Sequence, residues 1–127
     1  MPPPTPAAPF RLLLVEDEAL LREILSELLR DAGFLVTEAA HGAAALAVLQ
    51  SDAPIDLLLS DIKLPDMDGY TVAEAGNAAH PGLKVILMTG YAPSPLPATL
   101  QSAVYRVLQK PFPLEELLRI LRSAVGA

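Results

Sequence analysis

The sequence contains no cysteine, so it has neither a disulfide framework nor a thiol to act as nucleophile or metal ligand. That absence fits a reducing compartment, and the chain is expected in the cytoplasm. Bases are scarce: 9 Lys and Arg stand against 15 Asp and Glu, for a formal charge of −6 at pH 7. Gripping a phosphate backbone takes clustered cations, and no such cluster occurs, so no direct nucleic-acid partner is expected. No apolar run approaches the ~20 residues that cross a bilayer, and the start carries neither a basic n-region nor an apolar h-region. Membrane insertion and secretion are therefore not expected. His41 and His80 are the only histidines; they lie far apart, lack metal-ligand spacing and read as loop residues.

What the chain does have is apolar mass. At 127 residues and 52% hydrophobic, it is long enough to bury one core and needs no second. Residues 1–9 hold Pro2, Pro3, Pro4, Pro6 and Pro9 without hydrophobic periodicity, and are expected to be a disordered tail or linker. The domain proper is expected over residues 10–127. Arg11 to Val15 reads as a first buried strand, after which Asp17 or Glu18 can accept the free N–H groups opening a helix. Leu21, Ile24, Leu25 and Leu28 repeat at helical spacing, and Gly33 is placed to end that helix. Phe34 to Glu38 reads as a strand and Ala43 to Leu49 as a helix.

Asp56-Leu57-Leu58-Leu59-Ser60-Asp61 is a short apolar run without alternation, the pattern of a strand covered on both faces. A third helix is expected from Tyr70 to about Ala79, and a strand from Lys84 to Met88. Between Tyr91 and Ser102 a fourth helix has little room, because Pro93, Pro95 and Pro97 intrude, so it is expected to be short, late-starting and mobile. Tyr105 to Gln109 reads as the last strand. Pro113 opens a final helix with Glu115 and Glu116 in its first turn and Arg119 and Arg122 towards its end. Five strands alternating with five helices, joined by right-handed crossovers, predict a doubly wound, flavodoxin-like α/β domain of strand order 2-1-3-4-5.

Four apolar runs end in reactive side chains: Glu16-Asp17, Asp61, Thr89 and Lys110. In a parallel sheet, ligand chemistry collects at the carboxyl ends of the strands, so these endings are expected to share one crevice. Three carboxylates a few Å apart repel one another by several kcal/mol at intermediate dielectric, and a hard divalent cation is the natural remedy. Mg²⁺ prefers one or two carboxylates plus waters and a phosphoryl oxygen. A carboxylate held by metal and ammonium is a competent nucleophile towards phosphorus, and Asp61 is the candidate.

Leu14-Val15-Glu16-Asp17-Glu18, Ser60-Asp61-Ile62-Lys63-Leu64-Pro65-Asp66-Met67-Asp68-Gly69, Met88-Thr89-Gly90 and Lys110-Pro111-Phe112 together resemble the receiver domain of bacterial two-component response regulators, whether single-domain or part of a hybrid kinase. The likeness runs from about Phe10 into the last helix. It implies phosphoryl transfer to Asp61 from a histidine kinase or histidine phosphotransfer protein, and a downstream protein partner. It implies Mg²⁺ (or Mn²⁺) held by Asp17, Asp61 and the backbone carbonyl of Lys63, with Glu16 acting mostly through water. It further implies that Thr89 reads the phosphoryl oxygens, that Lys110 pairs with them, that the Lys110-Pro111 bond is cis, and that the domain is a signalling module with slow autodephosphorylation, not a turnover enzyme.

One position departs from the pattern. Where such domains usually carry Tyr or Phe three residues before the lysine, this chain has Val107. Tyr105, two residues earlier, is expected to point to the same strand face one pleat away, while Tyr91 is expected beside the site. A haloacid-dehalogenase-type phosphatase shares the Asp, Thr, Lys and Mg²⁺ but needs a second acid two residues past the nucleophile, where this chain has Lys63. A flavodoxin-like electron carrier needs a glycine- and hydroxyl-rich phosphate loop after the first strand, where Glu16-Asp17 would repel the phosphate. A docking module of the same fold, little or not phosphorylated, would lack one of the acid pair, acceptor, Thr or Lys, and all are present.

Overall fold

The computed structural model describes residues 9–92 and 95–126. Of the proline-rich start, residues 1–8 lie outside them, as does Pro93. Five parallel strands form one sheet of order β2-β1-β3-β4-β5, as the alternation of elements predicts: β1 Arg11–Val15, β2 Leu35–Ala39, β3 Leu57–Asp61, β4 Lys84–Thr89 and β5 Val104–Gln109. The helices are α1 Ala19–Asp31, α2 Gly42–Leu49, α3 Gly69–Ala79 and α4 Leu114–Ala124. Every residue of β3 is buried, which is why its sequence shows no polar alternation.

The sheet divides the core in two. On one face Leu12, Leu14, Leu57, Leu59, Ile86 and Met88 pack under α1 and α4. On the other, Leu13, Val15, Leu58, Val85 and Leu87 meet residues of α2 and α3. Because successive strand residues point to opposite faces, one leucine-rich stretch feeds both layers. The strand order reverses between β1 and β3, and the crevice at such a switch point is open to a ligand at the strands' carboxyl ends.

Three expectations change. The fourth helix is replaced by a 3₁₀ turn at Ala98–Leu100, so the described residues contain four α-helices where five are expected. The prolines around it remove amide donors that a longer helix would need, and only Leu100 of the turn is buried. In α1 the inner face is Leu25, Ser26 and Leu29, while Ile24 is 44% exposed; each residue turns about 100° around the axis, which carries Ile24 to the rim of a stripe centred on Leu25. Gly33 closes the helix as expected, with φ of 101°, in the left-handed region that glycine enters freely.

The third change concerns Tyr105. Val104 is paired with Val85 but Arg106 with Ile86, so Tyr105 is the extra residue of a β-bulge. The bulge turns its ring to the α4 side, where its hydroxyl is 2.7 Å from Ser123 Oγ. Val107 packs on the opposite face of the sheet. The two residues therefore do not share a face, contrary to plain alternation.

Candidate functional site

The carboxyl ends of β1, β3, β4 and β5 meet in a crevice of about 350 Å³ lined by Glu16, Asp17, Asp61, Lys63, Thr89, Tyr91 and Lys110 among others. Each strand delivers its terminal side chain because the buried run before it fixes the register: Val15 is paired with Ser60, and Asp61 with Met88. Thr89 is paired with Gln109, and Lys110 follows that pair, its N–H donating to the Thr89 carbonyl over 2.7 Å. The Lys110–Pro111 peptide bond is cis.

Lys110 is the electrostatic centre. Its ammonium lies 2.6 Å from Asp61 Oδ1 and 2.7 Å from Glu16 Oε1. Glu16 is only 1% exposed, and its carboxylate also accepts the N–H of Glu18. Asp17 is exposed at the rim. Carboxylate oxygens of Glu16, Asp17 and Asp61 all lie within 4.8 Å of one another.

One ammonium does not balance three such acids, and the imbalance falls on Asp61. Burial first, then its hydrogen bond to Glu16, pushes its carboxyl up to about 7 despite the opposing pull of Lys110. Burial acts the same way on Glu16, but hydrogen bonds from Asp61, Lys110 and the Glu18 N–H outweigh it and hold that carboxyl below its ordinary value. Burial would lower Lys110, yet its bonds to the two acids raise it. Of the two, Asp61 is the acid that holds a proton more readily. A hard cation seated among the three acids would release that proton, and an all-oxygen donor set beside an open crevice suits Mg²⁺.

Thr89 is nearly buried, and its Oγ1 accepts the backbone N–H of Tyr91 over 3.1 Å. The Tyr91 ring is 66% exposed and stands 5.9 Å from Lys63 Nζ. Glu16, Asp17, Asp61, Lys63, Thr89, Tyr91 and Lys110 therefore come together; Val107 does not line the crevice, and instead pairs with Leu87 inside the sheet.

Residues 12–122 match the response regulator receiver domain family. The chain belongs to that family. The receiver domain is 39% identical over 118 residues to the response regulator receiver protein CpdR of Brucella abortus (strain 2308), covering 92% of this chain and 98% of CpdR. It is 36% identical over 116 residues to the DNA-binding transcriptional regulator NtrC of Escherichia coli (strain K12), covering 89% of this chain but 24% of NtrC. Among solved structures, the receiver domain of the sensor histidine kinase PA1611 of Pseudomonas aeruginosa PAO1, which has a magnesium ion coordinated in its active-site cleft, superposes with a TM-score of 0.79 at 32% identity, over 94% of this chain and all of that one. Receiver domains are signalling modules of two-component systems that bind Mg²⁺ and work with histidine kinases and downstream partners. None of the helices among the described residues is long and apolar enough to cross a membrane.

Two site features escape sequence reasoning. Glu16 pairs directly with Lys110, a contact between residues 94 positions apart that no local pattern encodes. Asp66 grips the start of α2; an acid after proline in a loop carries no such signal by itself. His41 and His80 do stand at helix ends, as loop residues, but each is hydrogen-bonded there: His41 Nδ1 accepts from the Ala44 N–H, and His80 Nε2 lies 2.8 Å from the Leu49 carbonyl.

Proposed function

We propose that this receiver domain accepts a phosphoryl group on Asp61 from the phosphohistidine of a histidine kinase or histidine phosphotransfer protein. The observation carrying this reading is the contact of Asp61 Oδ1 with Lys110 Nζ at 2.6 Å inside a crevice where two further carboxylates converge. A carboxylate oxygen attacks phosphorus, the phosphorus–nitrogen bond breaks, and the imidazole leaves with the electron pair. Lys110 remains beside the new acyl phosphate and offsets its charge. Thr89 Oγ1, now an acceptor for Tyr91 N–H, still has its own proton to donate to a phosphoryl oxygen.

Asp17, Asp61 and the Lys63 carbonyl would hold Mg²⁺, with Glu16, committed to Lys110 and buried, acting through water. Bound there, the ion supplies positive charge against the transferring group and releases the Asp61 proton. Hydrolysis of the acyl phosphate returns the resting state slowly, so the domain is a switch and not a turnover enzyme. Its output would be read on the surface formed by residues 90–92 and 95–101, β5 and α4, where a downstream protein docks. Phosphotransfer profiling with radiolabelled histidine kinases tests the reading: label should pass to the wild type and not to Asp61→Asn. Equal labelling of both would refute it.

A further inference from the structure

The loop between β3 and α3 leaves the acceptor and returns within eight residues. Ile62 N–H donates to the Met88 carbonyl over 2.9 Å, and Gly69 N–H donates back to the Ile62 carbonyl. Between them Lys63 forms an isolated antiparallel bridge with Asp68, and Leu64 N–H reaches the Met67 carbonyl over 3.2 Å. The excursion is thus a miniature hairpin with Pro65 and Asp66 at its tip. A tip held only by its own base would be free to rock, taking the Lys63 carbonyl with it.

The tip is instead fastened to a different element. Asp66 Oδ1 accepts the N–H of Gly42 over 2.8 Å, and Oδ2 accepts that of Ala43 over 2.9 Å. These amides open α2, which has no acid of its own in its first turn, so a loop from elsewhere in the sequence supplies the anion that a helix start favours. The same two bonds hold the Asp66 carboxyl below its ordinary value. Beside the joint, Gly42 lies under the Met67 side chain, which a Cβ there would push aside.

We infer that Asp66 is a positioning residue, which clamps the acceptor loop to the start of α2 and so fixes the Lys63 carbonyl for the divalent cation while making α2 responsive to its arrival. The inference rests on the phosphoryl-acceptor reading above, in which Lys63 contributes its carbonyl. Asp66 itself lies outside the converging acids and touches neither ion nor phosphoryl. Loss of such an outer support typically weakens a metal site about tenfold or more.

The test is Mn²⁺ affinity of the full chain by calorimetry, together with amide NMR of Gly42 and Ala43 during Mg²⁺ titration. In the wild type those two amides should shift on saturation. Asp66→Ala should bind Mn²⁺ about tenfold more weakly and lose the response in α2, and Asp66→Asn, keeping one acceptor oxygen, should fall between them. Asp66→Ala or Asp66→Asn with wild-type Mn²⁺ affinity, even with a lowered melting temperature, would show Asp66 to be a helix cap and overturn the inference alone. Wild-type chain that binds no Mn²⁺ would overturn the parent reading as well.

Discussion

Lys110 Nζ reaches Asp61 Oδ1 across the width of β4, at 2.6 Å, and the same nitrogen is 2.7 Å from the buried Glu16. The ammonium therefore bridges two neighbouring acids and offsets their mutual repulsion. Lys110→Ala should lower stability by about 2 kcal/mol at pH 8, below the full cost of an unpaired buried charge because the crevice is open to water. Urea unfolding at pH 8 and pH 5 checks it, with the smaller loss at pH 5, where Asp61 is already protonated.

Asp61 should make the metal-free domain less stable as pH rises. Its carboxyl stands at about 7 in the fold against 3.8 ordinarily, so between those values the folded state binds more protons than the unfolded one. Stability then falls with increasing pH across that window and is level above it. Asp61→Asn removes the penalty. In EDTA at pH 8 it should exceed wild type by on the order of 2 kcal/mol, with the gap closing towards pH 4. Thermal or urea unfolding across pH reads both trends.

Metal affinity should fall as pH drops below about 7, because the cation must displace the Asp61 proton. Asp17→Asn should cost more affinity than Glu16→Gln, since Asp17 is free at the rim whereas Glu16 is committed to Lys110. Equal affinity of wild type and Asp17→Asn would remove Asp17 from the coordination shell.

The architecture was legible because its signals are local and redundant. The leucine runs, Gly33, Pro113 and the four reactive strand endings each state one element or one placement, and together they give strand order and crevice. The failures occur where the deciding partner is distant. The bulge that turns Tyr105 towards Ser123 depends on how β5 meets β4, and alternation along a single strand cannot reveal it. Ser26 lies in the inner face of α1, although its hydroxyl makes it look like a surface residue. Pro95 and Pro97 withhold amide donors from a helix, yet the reduction to a 3₁₀ turn at Ala98–Leu100 with Leu100 buried is set by packing that no local pattern states.

Readout should lie in the loop following Thr89. Val107 is packed inside the sheet and has no ring to swing, so a phosphoryl group drawing on the Thr89 hydroxyl must act through Tyr91, whose N–H is bonded to that hydroxyl and whose ring is exposed. Beryllofluoride, a mimic of the phosphoryl group, should increase amide-exchange protection across residues 90–92 and 95–101. Unchanged protection there, with partner binding indifferent to Tyr91→Ala, would place the output surface elsewhere.

The most direct measurement is intact-mass spectrometry after incubation with acetyl phosphate. The wild type should gain the mass of one phosphoryl group when Mg²⁺ or Mn²⁺ is present, gain none in EDTA, and gain none as Asp61→Asn. A gain of the same size in EDTA, or one that persists in Asp61→Asn, would contradict Asp61 as the metal-dependent acceptor.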